Sequence, residues 1–85
     1  MGNVLGNVFV KVMIMPKKKT INRLKHFRHK LEMERIEFAE LIEVDYNLYT
    51  RYEKHDKQPE RDSLYHIYLR LKTRIPDLHM EDLLE

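Results

Sequence analysis

The chain has 85 residues, enough for one domain with a modest core, and its lack of cysteine excludes a disulfide framework and a thiolate metal site. Both glycines, Gly2 and Gly6, lie near the amino terminus, which excludes a glycine-rich phosphate-binding loop from the rest of the chain. The formal net charge is only +2, but residues 1–30 carry eight basic residues and no acidic residue, which is typical either of a segment that meets a polyanion or of a solvated basic tail.

The first element in chain order is an apolar segment that precedes Pro16. Residues 8–15 are rich in β-branched and other apolar side chains, and this composition predicts a β-strand. An isolated strand is not stable in water, so the segment would pair with another copy, pack on the domain or remain disordered. We therefore expect an extension over residues 1–19 and a folded domain over residues 20–85.

After Pro16 the apolar residues recur at steps of three and four, which is the period of amphipathic helices. Thr20 and Asp45 are suitable N-caps for the first and third helices, and Pro59 is placed just before the first turn of the fourth. The pattern predicts an all-α domain of five short helices, at about residues 20–32, 35–42, 46–53, 60–73 and 78–84.

Apolar positions also predict which side of each helix faces the core. In the third helix, Leu48, Tyr49 and Tyr52 are the candidates for burial. The second helix is marked by a set of apolar residues, namely Ile36, Phe38, Ala39, Leu41 and Ile42.

Several features of residues 24–84 resemble, at compatible spacing, the lambda-repressor-like helix-turn-helix domain of XRE/Cro regulators. Ala39 is the only alanine in the chain, and two closely crossing helices need a small residue where they meet. The features that carry the resemblance are Arg28, Phe38-Ala39, Val44-Asp45, Tyr52-Glu53, Pro59 and the segment from Met80 to Leu84. The resemblance implies a five-helix domain in which Arg28 and Glu53 form a partly buried ion pair.

The resemblance also implies that the third helix enters the major groove of double-stranded DNA. Asn47 would then pair with adenine, and Arg51 would pair with guanine or hold a phosphate, as their hydrogen-bonding groups allow. The base-reading residues implied in this way are Tyr46, Asn47, Thr50 and Arg51. Phosphate contacts are assigned to Arg35, Lys54 and Lys57, and to a basic arm formed by Lys17, Lys18 and Lys19.

Some positions depart from the family pattern. Glu34 replaces the usual Ser or Thr cap of the second helix, and Glu43 and His55 replace frequent glycines, which predicts left-handed residues or reshaped turns. Glutamates recur on the second helix, and we expect them to point away from a bound duplex because they would otherwise repel its phosphates. These glutamates are Glu34, Glu37, Glu40 and Glu43.

The sequence predicts no enzyme activity, no cofactor and no metal site. No nucleophile–base pattern is present, and the histidine pair His26 and His29, three residues apart, has only basic neighbours. No apolar stretch approaches the roughly 20 residues of a membrane helix, so we expect no membrane partner and a cytoplasmic location.

We therefore expect a transcriptional regulator, most simply a repressor, that binds operator DNA as a homodimer. Its copies would pair through the fifth helix and the preceding loop, or through the strand at residues 8–15. The alternative is a protein-interaction module, such as an antitoxin, that keeps the fold with weak DNA binding and engages a toxin or an antirepressor. The acidic second helix and the hydrophobic Leu48-Tyr49 step favour that alternative.

Overall fold

The apolar periodicity corresponds to four α-helices in the computed structural model, which describes residues 21–85. The all-α prediction is confirmed for these residues, whereas the predicted strand at residues 8–15 lies outside them. The segment predicted as a fifth helix forms a 3-10 helix, Met80–Leu83. The α-helices are α1, Leu24–Lys30; α2, Arg35–Leu41; α3, Tyr46–Glu53; and α4, Arg61–Lys72.

The first helix begins at Leu24, so the prediction that it starts at residue 20 is wrong. Residues 21–23 instead lie against the carboxyl end of the chain, where the Arg23 amide donates to the Leu83 carbonyl at 2.8 Å and the Glu85 amide donates to the Ile21 carbonyl at 2.9 Å. This pairing keeps the backbone before Leu24 out of the helix, and the proposed cap Thr20 lies outside the described residues.

The core is built where α2 crosses α3, with α4 and the 3-10 helix packed around it. The Phe38 and Tyr49 rings meet at a centroid distance of 5.3 Å, and Ala39 is buried in the same cluster. The fully buried side chains are Tyr49, Phe38, Leu24, Ile42, Ile67, Leu71, Leu78 and Leu83. Because its large residues come from every helix, the core fixes the orientation of α3.

No helix within residues 21–85 has the length and apolar character needed to cross a membrane.

Each of the first three helices ends in a left-handed residue that is not glycine. Glu32, Glu43 and His55 have φ angles of 55°, 56° and 64°. At the end of α3 the His55 amide donates to the Tyr52 carbonyl at 3.2 Å and the Asp56 amide to the Arg51 carbonyl at 3.0 Å, which is a Schellman motif. Of the two alternatives that the sequence left open, left-handed residues or reshaped turns, Glu43 and His55 adopt the left-handed one, and these side chains impose a steric cost that glycine would not.

Replacing His55 with glycine is therefore expected to raise the free energy of unfolding by about 0.5–1 kcal/mol. His66 provides a matched control, because it is also exposed but occupies the interior of α4, where glycine should lower the free energy of unfolding by about 0.5–1 kcal/mol. Urea unfolding of both variants measures the effects. Equal destabilisation by the two substitutions would show that the left-handed backbone at position 55 carries no strain.

Candidate nucleic-acid interface

The third helix is capped at its start and buried along one side. The Asp45 side chain accepts hydrogen bonds from the amides of Asn47 and Leu48, at 3.1 and 3.3 Å, so the predicted N-cap is confirmed. The predicted bounds of this helix, 46–53, are those observed. Its inner side carries Tyr49 and Tyr52, both buried, whereas Leu48 is only half-buried. The buried inner side therefore anchors α3 in the core.

The four residues predicted to read bases lie on the opposite side of α3. Tyr46, Asn47 and Arg51 are exposed, and Thr50 is half-buried at the edge of the same face. The Thr50 hydroxyl donates to the Tyr46 carbonyl at 3.0 Å, which leaves its methyl group and an oxygen lone pair for other contacts. The structure therefore brings these side chains together on one outward surface, which we call the α3 face.

Glu53, at the end of α3, is the centre of a buried ionic cluster. Arg28 binds it with two hydrogen bonds, from Nε to Oε2 and from Nη2 to Oε1, both at 3.0 Å. Only 11% of the Arg28 side chain and 3% of the Glu53 side chain are exposed. The Tyr49 hydroxyl donates to Oε2 at 2.5 Å, and Arg35 Nε donates to Oε1 at 3.0 Å. The pair implied by the family resemblance thus has two further members, Tyr49 and Arg35.

The cluster keeps the Glu53 carboxylate ionised. Burial acts to raise its pKa, but the hydrogen bonds from Arg28, Tyr49 and Arg35 outweigh burial and lower the pKa to about 2. Burial, together with the hydrogen bond to Glu53, raises the pKa of the Tyr49 hydroxyl. At neutral pH the cluster therefore contains two guanidinium groups and one carboxylate, with one positive charge in excess.

Arg35, a predicted phosphate contact, is the exposed member of this cluster. Its side chain is 44% exposed, although its Nε is bound to Glu53. Its hydrogen bond to Glu53 is the main reason that its pKa is raised, and the neighbouring Tyr46 hydroxyl contributes less. The hydrogen bond to Glu53 therefore restricts the orientation of the Arg35 guanidinium at the edge of the α3 face.

An open groove of about 600 Å³ runs beside the first turns of α2 and α3. Ile36, one of the apolar residues that mark α2 in the sequence, is 57% exposed there. Arg35 and Tyr46 lie on the same groove. The side chains that line it are Arg28, Glu34, Arg35, Ile36 and Tyr46.

The glutamates of α2 differ in their roles. Glu37 accepts a hydrogen bond from the Glu34 amide at 2.9 Å and so helps to cap α2, while Glu43 forms an ion pair with Arg70 of α4 at 2.6 Å. Glu34 lines the groove next to Arg35, so the expectation that these acids point away from the candidate interface is wrong for Glu34. Its charge opposes a phosphate at that end of the groove.

The remaining predicted phosphate contacts have different positions. Lys54 and Lys57 are exposed in the loop that follows α3. The basic arm of Lys17, Lys18 and Lys19 lies outside the described residues. Within residues 21–85, no group of three or more histidine or acidic side chains is arranged to hold a metal ion.

The chain was compared with protein-family models, curated proteins and solved structures. None of them matches it.

Proposed function

We propose that the protein is a cytoplasmic, sequence-specific DNA-binding regulator, acting as a repressor and not as an enzyme. Its domain is of the lambda-repressor-like helix-turn-helix type, and α3 enters the major groove. One observation carries the proposal: Tyr46, Asn47 and Arg51 are exposed together on the outer side of the helix that Asp45 caps. An amphipathic helix with a rigid inner side and hydrogen-bonding residues on its outer side is suited to base contacts.

The side chains of the α3 face match the chemistry of base edges. The Asn47 amide has the donor and acceptor that adenine requires, and the Arg51 guanidinium has the paired donors that bind guanine. Tyr46 offers a ring to a thymine methyl group and a hydroxyl to a phosphate. This combination favours recognition of a mixed sequence over binding to the phosphate backbone alone.

Phosphate contacts would position α3 in the groove. Arg35 is held by Glu53 at the edge of the α3 face, and Lys54 and Lys57 are exposed in the loop that follows α3. These cations would anchor the helix on the phosphate backbone, with Lys17, Lys18 and Lys19 adding further attraction. The domain is small for tight specific binding, so it would act as a homodimer on a two-fold site. Its copies would pair through Met80–Leu83 with the preceding loop, or through residues 8–15.

A second candidate is a protein-interaction module with weak DNA binding, such as an antitoxin-like partner of a toxin or an antirepressor. Large apolar side chains on the outer side of α4 favour it, because Tyr65 is 50% exposed and Leu69 is 41% exposed. Glu34 favours it as well, since an acid beside Arg35 weakens phosphate binding.

Selection of bound sequences from a random pool of DNA duplexes tests the proposal. A regulator should enrich one motif, and its affinity should fall steeply as the salt concentration rises. If no motif is enriched and no duplex is bound at low salt, the proposal is overturned and the protein-interaction module becomes the favoured function.

Replacing Arg51 with alanine is expected to weaken binding to the selected duplex by about 1–3 kcal/mol and to relax the preference at one base pair. Arg74, exposed after α4, is the matched control, because Arg74→Ala removes the same charge away from the α3 face. Fluorescence anisotropy with the selected duplex and with single-base variants measures both effects. Equal losses from the two substitutions would mean that Arg51 acts only through its charge.

A further inference from the structure

Two large apolar side chains are exposed on the groove beside the α3 face. Ile36 is the second residue of α2, and Tyr46, 43% exposed, is the first residue of α3. Both line the same groove, where their exposed parts provide an apolar surface beside the charged residues Arg28, Glu34 and Arg35. A ligand that covered these side chains would remove apolar surface from water, which is favourable. The surface is therefore a candidate contact for a ligand.

The cation next to this apolar surface restricts what the ligand can be. Arg35 Nε is bound to Glu53 Oε1 at 3.0 Å, and that carboxylate is itself fixed by Arg28 and Tyr49. These hydrogen bonds restrict the position of the Arg35 guanidinium relative to Ile36, the next residue of α2. A ligand that satisfies both would present a small apolar group and an anionic oxygen at a fixed separation.

In a DNA duplex, the thymine nucleotide has this combination of groups. Thymine is the only base with a methyl group in the major groove, and its strand supplies phosphate oxygens nearby. Glu34 lines the same groove and would oppose a phosphate bound next to it, so an amphipathic protein segment is the alternative ligand. The free guanidinium edge is also oriented, as a phosphate contact requires.

We infer that Ile36, together with Tyr46, reads a thymine methyl group while Arg35 binds a phosphate of the same DNA strand. This inference rests on the proposed function. It makes Ile36 a specificity-determining residue, located on α2 and outside the helix that carries the other base contacts.

Replacing single thymines of the selected duplex by deoxyuridine tests the inference, because this change removes only the methyl group. For the unmodified protein, at least one replacement should weaken binding about fourfold, as expected for one buried methyl group. Ile36→Ala should bind the thymine duplex more weakly by a similar factor and should no longer distinguish deoxyuridine at that position. Ile36 is exposed, so the variant should unfold at the same urea concentration as the unmodified protein.

Leu69→Ala is the matched control, since Leu69 is an exposed apolar residue on α4 and its variant should keep the full preference for thymine. The inference is overturned if no thymine replacement weakens binding, or if Ile36→Ala keeps the same preference. Unchanged duplex binding by Ile36→Ala would assign the groove to another ligand, such as a protein segment. Absence of any duplex binding would instead overturn the proposed function, and the inference with it.

Discussion

Replacing Glu53 with glutamine is expected to lower the free energy of unfolding by about 3–5 kcal/mol at neutral pH, because it leaves the buried Arg28 guanidinium without a carboxylate. The same substitution weakens the contacts of Tyr49 and Arg35 with position 53. A domain of this size has about 5–15 kcal/mol in total, so the variant should be close to unfolding. Urea unfolding followed by circular dichroism measures the loss.

The same carboxylate predicts a loss of stability in acid. Its pKa is about 2 in the folded protein, below the value of 4.5 for an unperturbed glutamate. A lowered folded-state pKa means that Glu53 stabilises the fold above about pH 4.5, and that this contribution, on the order of 2–3 kcal/mol, is lost as the pH falls towards 2. Tyr49→Phe removes one hydrogen bond from the carboxylate, and it should raise the pKa and shift the acid loss to higher pH.

Glu40→Gln is the matched control for both measurements. Glu40 is exposed on α2, so its loss should change the free energy of unfolding by less than about 0.5 kcal/mol. If Glu53→Gln were as mild as Glu40→Gln, the cluster would contribute no net stability, and its role would be limited to orienting Arg35.

The cluster also indicates what the sequence could predict about the site. Arg28 and Glu53 were paired by family resemblance alone. Tyr49 lies four residues before Glu53, so helical spacing could have placed its hydroxyl beside the carboxylate. Arg35 has no such local relation to Glu53, and its place in the cluster depends on how α2 crosses α3.

Local signals account for the parts of the fold that were predicted correctly. The bounds of α3 follow from the Asp45 cap and from buried tyrosines at helical spacing. A long-range contact accounts for the error at α1, whose start is set by pairing with the carboxyl end of the chain. Ile36, one of the apolar residues that mark α2, is nevertheless exposed, in the first turn of that helix. Periodicity gives the inner side of a helix but not how far along the helix a partner covers it.

Asn22 is the structural residue that the sequence pattern missed, and Asn22→Ala is expected to lower the free energy of unfolding by about 2–4 kcal/mol. Its side chain is buried, where Nδ2 donates to the Tyr52 carbonyl at 2.9 Å and to Gln58 Oε1 at 2.8 Å. Its Oδ1 accepts from the Leu24 amide at 3.1 Å and so satisfies the first free amide of α1. Removing the side chain leaves the Tyr52 carbonyl and the Leu24 amide without these hydrogen-bond partners at buried positions, whereas Gln58 Oε1 keeps the Asn22 backbone amide as a donor.

Asn22→Asp separates the capping role of this side chain from its donor role. Aspartate can still accept from the Leu24 amide, but it would face the Tyr52 carbonyl and Gln58 Oε1 with a negative charge. These acceptor oxygens would raise the pKa of the new carboxyl, so the variant should be about as unstable as Asn22→Ala at pH 7. It should recover part of the loss, relative to the unmodified protein, as the pH falls to 5 and the carboxyl becomes a donor.

Asn47→Ala is the matched control, because it removes an asparagine side chain that is exposed on the α3 face. It should weaken DNA binding with little change in stability, whereas the Asn22 variants should lose stability and keep the affinity of their folded fraction. This contrast follows from position: Asn22 ties the end of α3 to both ends of the described chain, and Asn47 lies on the outward surface of that helix. Loss of DNA affinity in folded Asn22→Ala would mean that the orientation of α3 depends on this junction as well as on the core.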